Sequence, residues 1–238
     1  MFTLPVGFVL LILALLFSTP LSSWGTYVNA HSLFIVLGGT IAITGMALPW
    51  SILKMLGRMI QEVFHKEDEL GSHERELEEL STQRRLTTPS KNPLINYATE
   101  LWDNGTGQEM FVVLISQRRE ALDSQRSEAV QGLKNLSKYP PALGMTGTVM
   151  GLVVLFSNLG SDNKDSLGPA LGMAMTATFF GLIIANAVLM PLADRLHVQH
   201  MKHRAHNQSI YELLLLVNRK EPLTLIQGEV KDRVAAAA

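Results

Sequence analysis

Thr148 and Thr178 are the side chains whose type and setting could do chemistry. Each sits within a long uncharged run of the stretch 140–192, "PPALGMTGTVMGLVVLFSNLGSDNKDSLGPALGMAMTATFFGLIIANAVLMPL". A hydroxyl on an apolar helix needs a partner helix, a water or an ion. On the first run Gly144, Thr148 and Gly151 fall on one helical face, and Gly147 with Gly151 makes a small-x-x-x-small step. On the second, Ala170, Ala174, Thr178, Gly181 and Ala185 continue one stripe. Such faces let helices approach closely in lipid, so the spacing predicts a tight hairpin with both threonines at its seam. The plain alternative for each hydroxyl is a bond back to its own helix carbonyl.

The elements that would position this seam are legible from charge. No Asp, Glu, Lys or Arg occurs in 1–52, 139–161 or 166–193, and each hairpin run is long enough to cross a hydrocarbon core. Of the 20 Lys and Arg residues, 12 lie in 51–139, one in 159–167 and seven after Ala193. The positive-inside rule then puts the middle segment, the tail and both termini in the cytoplasm, and both short loops outside. The fold class expected is an all-α membrane protein with four transmembrane helices and helical cytoplasmic parts. Its segments are 1–50 (helices 1 and 2), 51–139 (cytoplasmic helical domain), 140–192 (helices 3 and 4, lining the seam) and 193–238 (cytoplasmic tail).

Along the chain, "MFTLPVGFVLLILALLFSTPL" reads as an uncleaved first span, because it lacks the basic start and A-x-A-like end of a signal peptide. The second span runs from about His31 to Trp50, with Gly38, Gly39 and Thr40 inside it. Beyond it "SHERELEEL", with Glu78 and Glu79, reads as a solvated helix face or an acidic docking surface. Prolines in "TTPSKNP" mark a loop, and Asn104–Gly105 breaks the helix that follows. His197, His200, His203 and His206 recur every three residues and drift around a helix, which favours a polar, basic face over a metal site.

Several function classes drop out. There is no phosphate-cradling G-x-x-x-x-G-K-[ST] loop, G-x-S-x-G, H-E-x-x-H or intramembrane carboxylate pair, so no enzyme and no cofactor are expected. A net charge of -1 without a basic stripe gives no reason to expect nucleic acid, and zero cysteines remove thiolate chemistry. Ion movement across a membrane usually needs an anionic group at depth, and these spans have none. Either the chain conducts nothing, or a partner supplies the carboxylate.

The hairpin resembles the A subunit of flagellar stators, the MotA/PomA family within the MotA/TolQ/ExbB superfamily. The resemblance rests on "PALGMTGTVMGL" and "LGPALGMAMTATFFGLIIANAVLMPLADRL", and more weakly on "PVGFVL" and "HSLFIVLGGT". It implies a bacterial cytoplasmic-membrane complex in which a homopentamer of A subunits surrounds two B subunits. Each B subunit would bring one transmembrane helix with an ion-binding aspartate. Thr148, Thr178 and Asn186 would then line the ion path, with a lean towards sodium over protons. Pro141 and Pro191 would be hinge or gate prolines near the cytoplasmic ends of the hairpin, and Gly144, Gly147, Gly151 and Gly181 would pack it. Arg84 and Arg85, with Glu78 and Glu79, stand in for charges that contact a rotor or partner, although no Glu follows the arginines where the family pattern has one. The competing expectations are a TolQ/ExbB-like energiser of an envelope process and a non-conducting scaffold.

Overall fold

The computed structural model describes residues 29–64, 90, 92–159 and 167–219, with helical positions Val6, Gly7, Val9, Leu10, Leu13, Ala14 and Phe17. The elements are α1 (Ala30–Ala47), α2 (Trp50–Phe64), α3 (Pro93–Asp103), α4 (Gln108–Leu136), α5 (Tyr139–Asn158) and α6 (Leu167–Ile183), then a π-helical turn (Ile184–Leu189) and α7 (Met190–Asn218). No strand occurs among the described residues. Three stretches among them, Ala30–Ala47, Gln108–Asn158 and Leu167–Asn218, are long and apolar enough to cross a membrane. The first apolar run is described only at the positions named. Glu78, Glu79, Arg84 and Arg85 lie outside the described residues.

Local chemistry sets the helix ends. The Asn29 side chain accepts from the backbone N–H of His31 (3.0 Å) and Ser32 (3.3 Å), starting α1. Leu48 is extended (φ -116°, ψ 131°) because Pro49 disfavours helical geometry in the residue before it, so α1 stops there. Asn92 caps α3 with Pro93 in the first turn, where no N–H is needed. Gly105 (φ 68°) turns the chain from α3 into α4, a conformation that glycine adopts at no steric cost.

The chain divides into two compact units, Met1–Gly57 with Ala129–Leu196, and Arg58–Glu128 with His197–Ala238. In the first, α5 and α6 lie side by side and α1 packs on both. Its outward residues Phe34, Ile41, Met145, Val149, Val153 and Phe156 are apolar and exposed. Along α5 and α6 burial goes to small residues and large apolar side chains face out, the reverse of a water-soluble helical protein.

The second unit is ordered the usual way. Leu94, Ile95, Ala98 and Leu101 of α3, Phe111 and Ile115 of α4, and Ile210, Leu213, Leu214 and Val217 of α7 form one buried core. Trp102 stacks on Phe111 (5.1 Å) and its indole N–H donates to Asn218 Oδ1 (3.1 Å), so the ring packs, partly buried, against the core with its polar atom satisfied.

Candidate ion-path site

The α5–α6 seam is built on glycine. A Cβ added at Gly147 would lie 2.5 Å from Ala177 Cβ, and one at Gly151 2.8 Å from the Ala170 carbonyl oxygen. At Gly144 it would meet the Ala177 carbonyl at 2.9 Å, and at Gly181 the Pro140 carbonyl at 2.5 Å. The two backbones therefore come into direct contact at Gly144, Gly151 and Gly181, while at Gly147 the Ala177 methyl fills the space. Gly144, Gly147, Gly151 and Gly181 are all buried.

Such close approach brings Thr148 and Thr178 together. Their hydroxyl oxygens are 2.5 Å apart. Thr148 Oγ1 also lies 3.1 Å from the Gly144 carbonyl and 3.0 Å from that of Ala174, across the seam, and Thr178 Oγ1 lies 3.4 Å from the Gly144 carbonyl. Two hydroxyls carry two protons between them. One links the pair, the other goes to a carbonyl, and acceptor lone pairs remain. Both threonines are half-buried, so this cluster of partial negative charges is reachable from the edge of the seam. It can solvate a small cation or a water, but it holds no full charge to neutralise one.

The prolines differ in what they do. Pro140 and Pro141 fall in the first turn of α5, where the backbone N–H has no intrahelical acceptor, so they start the helix without breaking a bond. Pro191 sits in the second position of α7, directly after the π-helical turn. In that turn the Met190 N–H donates to the Ala185 carbonyl, five residues back. A proline inside a helix loses one hydrogen bond and its ring presses on the carbonyl four residues earlier, and a widened turn relieves the second. Asn186 lies within this turn, exposed, with its side-chain amide donating to the Leu182 carbonyl (3.1 Å). The structure thus brings Thr148 and Thr178 together and holds Asn186 elsewhere, two turns further along.

A second hydroxyl pair escaped the sequence reading. Ser32 Oγ is 2.8 Å from Thr176 Oγ1 and 2.8 Å from the Met173 carbonyl, tying α1 to α6. Both side chains are buried. The only sequence sign was a threonine two residues before Thr178, which a helix must turn to another face.

In the second unit the histidine series is not a solvated basic face. His200 and His206 are buried, His203 is partly buried and His197 is exposed. Arg126 of α4 holds Glu62 of α2 through both carboxylate oxygens (3.1 and 3.0 Å). His203 Nε2 is 3.7 Å from the same carboxylate, too long for a hydrogen bond. Burial, then Arg126, His206 and His200, lower the His203 pKa to about 4, so the imidazole is neutral near pH 7 despite that carboxylate, which Arg126 already occupies. His200 is lowered too, by burial first, with Asp123 opposing and Arg126, His197 and Arg204 assisting. Asp123 Oδ1, Arg126 Nη1 and His200 Nδ1 are buried without a hydrogen-bond partner among the described residues. No group of three or more His, Asp or Glu suited to a metal ion occurs among the described residues.

The chain is 26% identical over 209 residues to the YtxD protein of Bacillus subtilis (strain 168), covering 81% of this chain and 75% of that one. It is similar to the chemotaxis protein PomA of Vibrio alginolyticus at 22% identity over 234 residues, 95% of this chain and 90% of the relative. Its fold is similar to that of a chain in the solved structure of C. jejuni MotAB, with a TM-score of 0.78 at 18% identity over 97% of this chain and 94% of the other. Residues 83–208, more than half of the 238-residue sequence, match the MotA/TolQ/ExbB proton channel family, and the chain belongs to that family.

Proposed function

We propose that this chain is the A-type subunit of an ion-driven stator of the flagellar kind, converting sodium or proton flow into torque with a B-type partner. The observation that carries the reading is the Thr148–Thr178 pair, two hydroxyls and two carbonyls converging on a seam that has no charge of its own. Oxygens of this kind share the solvation of a cation, and a carboxylate on a partner helix would supply the charge. The family's description as a proton channel and the PomA and MotAB likenesses support a stator over an enzyme or a scaffold.

In this reading the protein is a four-span protein of the bacterial inner membrane, with segments 1–50 and 140–192 in the bilayer. Segments 51–139 and 193–238 and both termini are cytoplasmic. Five copies surround two B subunits, each bringing one aspartate-bearing helix, and lipid meets the outward apolar stripe of α1 and α5. Sodium is favoured over protons because hydroxyls and carbonyls coordinate a metal cation directly, whereas a proton needs only the carboxylate and water. The load is a rotor protein, engaged through charges such as Arg84, Arg85, Glu78 and Glu79.

The test is co-expression with the cognate B-type subunit, measuring ion-driven rotation or swimming. Thr148→Ala combined with Thr178→Ala should abolish it at unchanged protein level. Intact function in that double variant would remove Thr148 and Thr178 from the ion path. A reporter fused to the N-terminus should report the cytoplasm, whereas an external N-terminus would favour the TolQ/ExbB-like energiser.

A further inference from the structure

The seam that joins α5 to α6 is lined by Ala170, Ala174, Ala177 and Gly181 on one side and glycines on the other. Such surfaces offer shallow ridges, so steric interlock alone does little to stop one helix turning or sliding on the other. Yet Thr178 must face Thr148 to make the four-oxygen cluster, and one residue of slip turns a helix by about 100°.

α1 supplies a directional restraint. Ser32, fully buried, reaches the Met173 carbonyl and Thr176 Oγ1, each at 2.8 Å. Ser32 donates its one proton to the Met173 carbonyl, so its oxygen is left to accept from the Thr176 hydroxyl, which shares its own proton between Ser32 and the Gly172 carbonyl (2.7 Å). These contacts grip α6 within one turn of Ala177, whose methyl fills the notch at Gly147, and Ile35 of α1 reaches the same notch at 3.9 Å. Gly39 of α1 is packed against Leu143 of α5 nearby. Three helices are thus registered at one level, and the contact on α6 is made to backbone, which does not yield to a rotamer change.

We infer that Ser32 and Thr176 are positioning residues for the ion site, a hydroxyl tie from α1 that fixes the rotation of α6 and so aims Thr178 at Thr148. The inference rests on the stator reading. Loosening the tie leaves every coordinating oxygen in the chain but lowers the fraction of time they converge, so ion affinity falls while the maximal rate at saturating ion stays close to normal.

The experiment uses the full chain co-expressed with its B-type subunit, with rotation speed titrated against sodium and, at fixed sodium, against pH. Membrane levels are measured by immunoblot. Ser32→Ala and Thr176→Val should each raise the half-saturating cation concentration about three- to twentyfold, the range that interhelical hydrogen bonds in membranes command. Thr176→Ser keeps the hydroxyl and should restore the wild-type value. Unchanged half-saturation in both variants, or a loss of maximal speed that only follows protein level, would overturn the proposal. Thr148→Ala is run beside them. If it too leaves the ion dependence unchanged, the ion-site reading itself is wrong, whereas an altered Thr148→Ala beside unaltered Ser32→Ala and Thr176→Val rejects the tie alone.

Discussion

The two units solve the same problem, fixing helices in place, with opposite materials. At the α5–α6 seam the contact is made by absent side chains, four glycines and a row of alanines, and the polar groups are neutral hydroxyls and carbonyls. In the second unit a carboxylate and a guanidinium are drawn partly out of water, and neutral histidines surround them. The difference teaches where each material works. A charge pair that is partly wetted, with Arg126 and Glu62 at 18% and 29% exposure, retains enough solvation to be affordable. A span in hydrocarbon has no such relief and takes its specificity from shape and from hydrogen bonds to backbone.

The strongest way to break this contrast is to put volume into the seam. Gly181→Val places branched carbon against the Pro140 carbonyl, where even a Cβ would lie at 2.5 Å, and both sides are backbone. A loss above ~3 kcal/mol is expected, read as disappearance of folded protein from the membrane fraction. Arg126→Met leaves Glu62 charged and half-covered without its partner. Thermal unfolding in detergent should report a cost of about 2–3 kcal/mol, and adding Glu62→Gln should recover part of it.

A smaller effect comes from acid. Because the folded-state pKa of His203 is lowered to about 4 from an ordinary 6.5, the unfolded chain binds the proton first. This site's contribution to stability is therefore greatest above pH 6.5, falls as the pH drops towards 4 and levels off below, by about 1–2 kcal/mol because water still reaches part of the ring and screens the shift. His203→Gln should flatten the pH dependence of the melting temperature over that window; an unchanged slope would mean that the imidazole takes up its proton equally readily in the folded and unfolded chain. The smallest effect is a control. Thr146 is exposed and bonds back to the Ala142 carbonyl (3.1 Å), so Thr146→Ala should stay within ~0.5 kcal/mol and leave ion dependence unaltered, in contrast to Thr148→Ala two residues on.

What was legible in the sequence was what a single helix can express. The stripe through Gly144, Gly147 and Gly151 follows from a period of 3.6, and so does the facing row through Ala170, Ala174 and Gly181. Asn104–Gly105 announced a helix end through backbone chemistry, whereas the second span, expected to run to about Trp50, ends at Ala47 ahead of Pro49. The Ser32–Thr176 tie was not legible, because it joins residues 144 apart and exists only once α1 is known to lie on α6. The histidines, by type alone, suggest a polar, basic face, yet His200 and His206 are buried. The charged groups that face His203 and His200, namely Glu62, Asp123 and Arg126, arrive from two other helices, and no pattern within "HVQHMKHRAH" encodes that.

The π-helical turn has a consequence for anyone who recombines these chains. Buried positions run Gly181, Ala185, then Ala193 and Leu196, so eight residues separate two points on one face where an unbroken α-helix would place about seven. The turn before Pro191 absorbs the surplus residue. A chain without that extra residue would carry the start of α7 out of phase by about 100°, and Ala193 and Leu196, both buried in the first unit, would point away from the partners they now have. Removing one residue from Ile184–Leu189 would therefore be felt not at the deletion but beyond it, at Ala193 and Leu196.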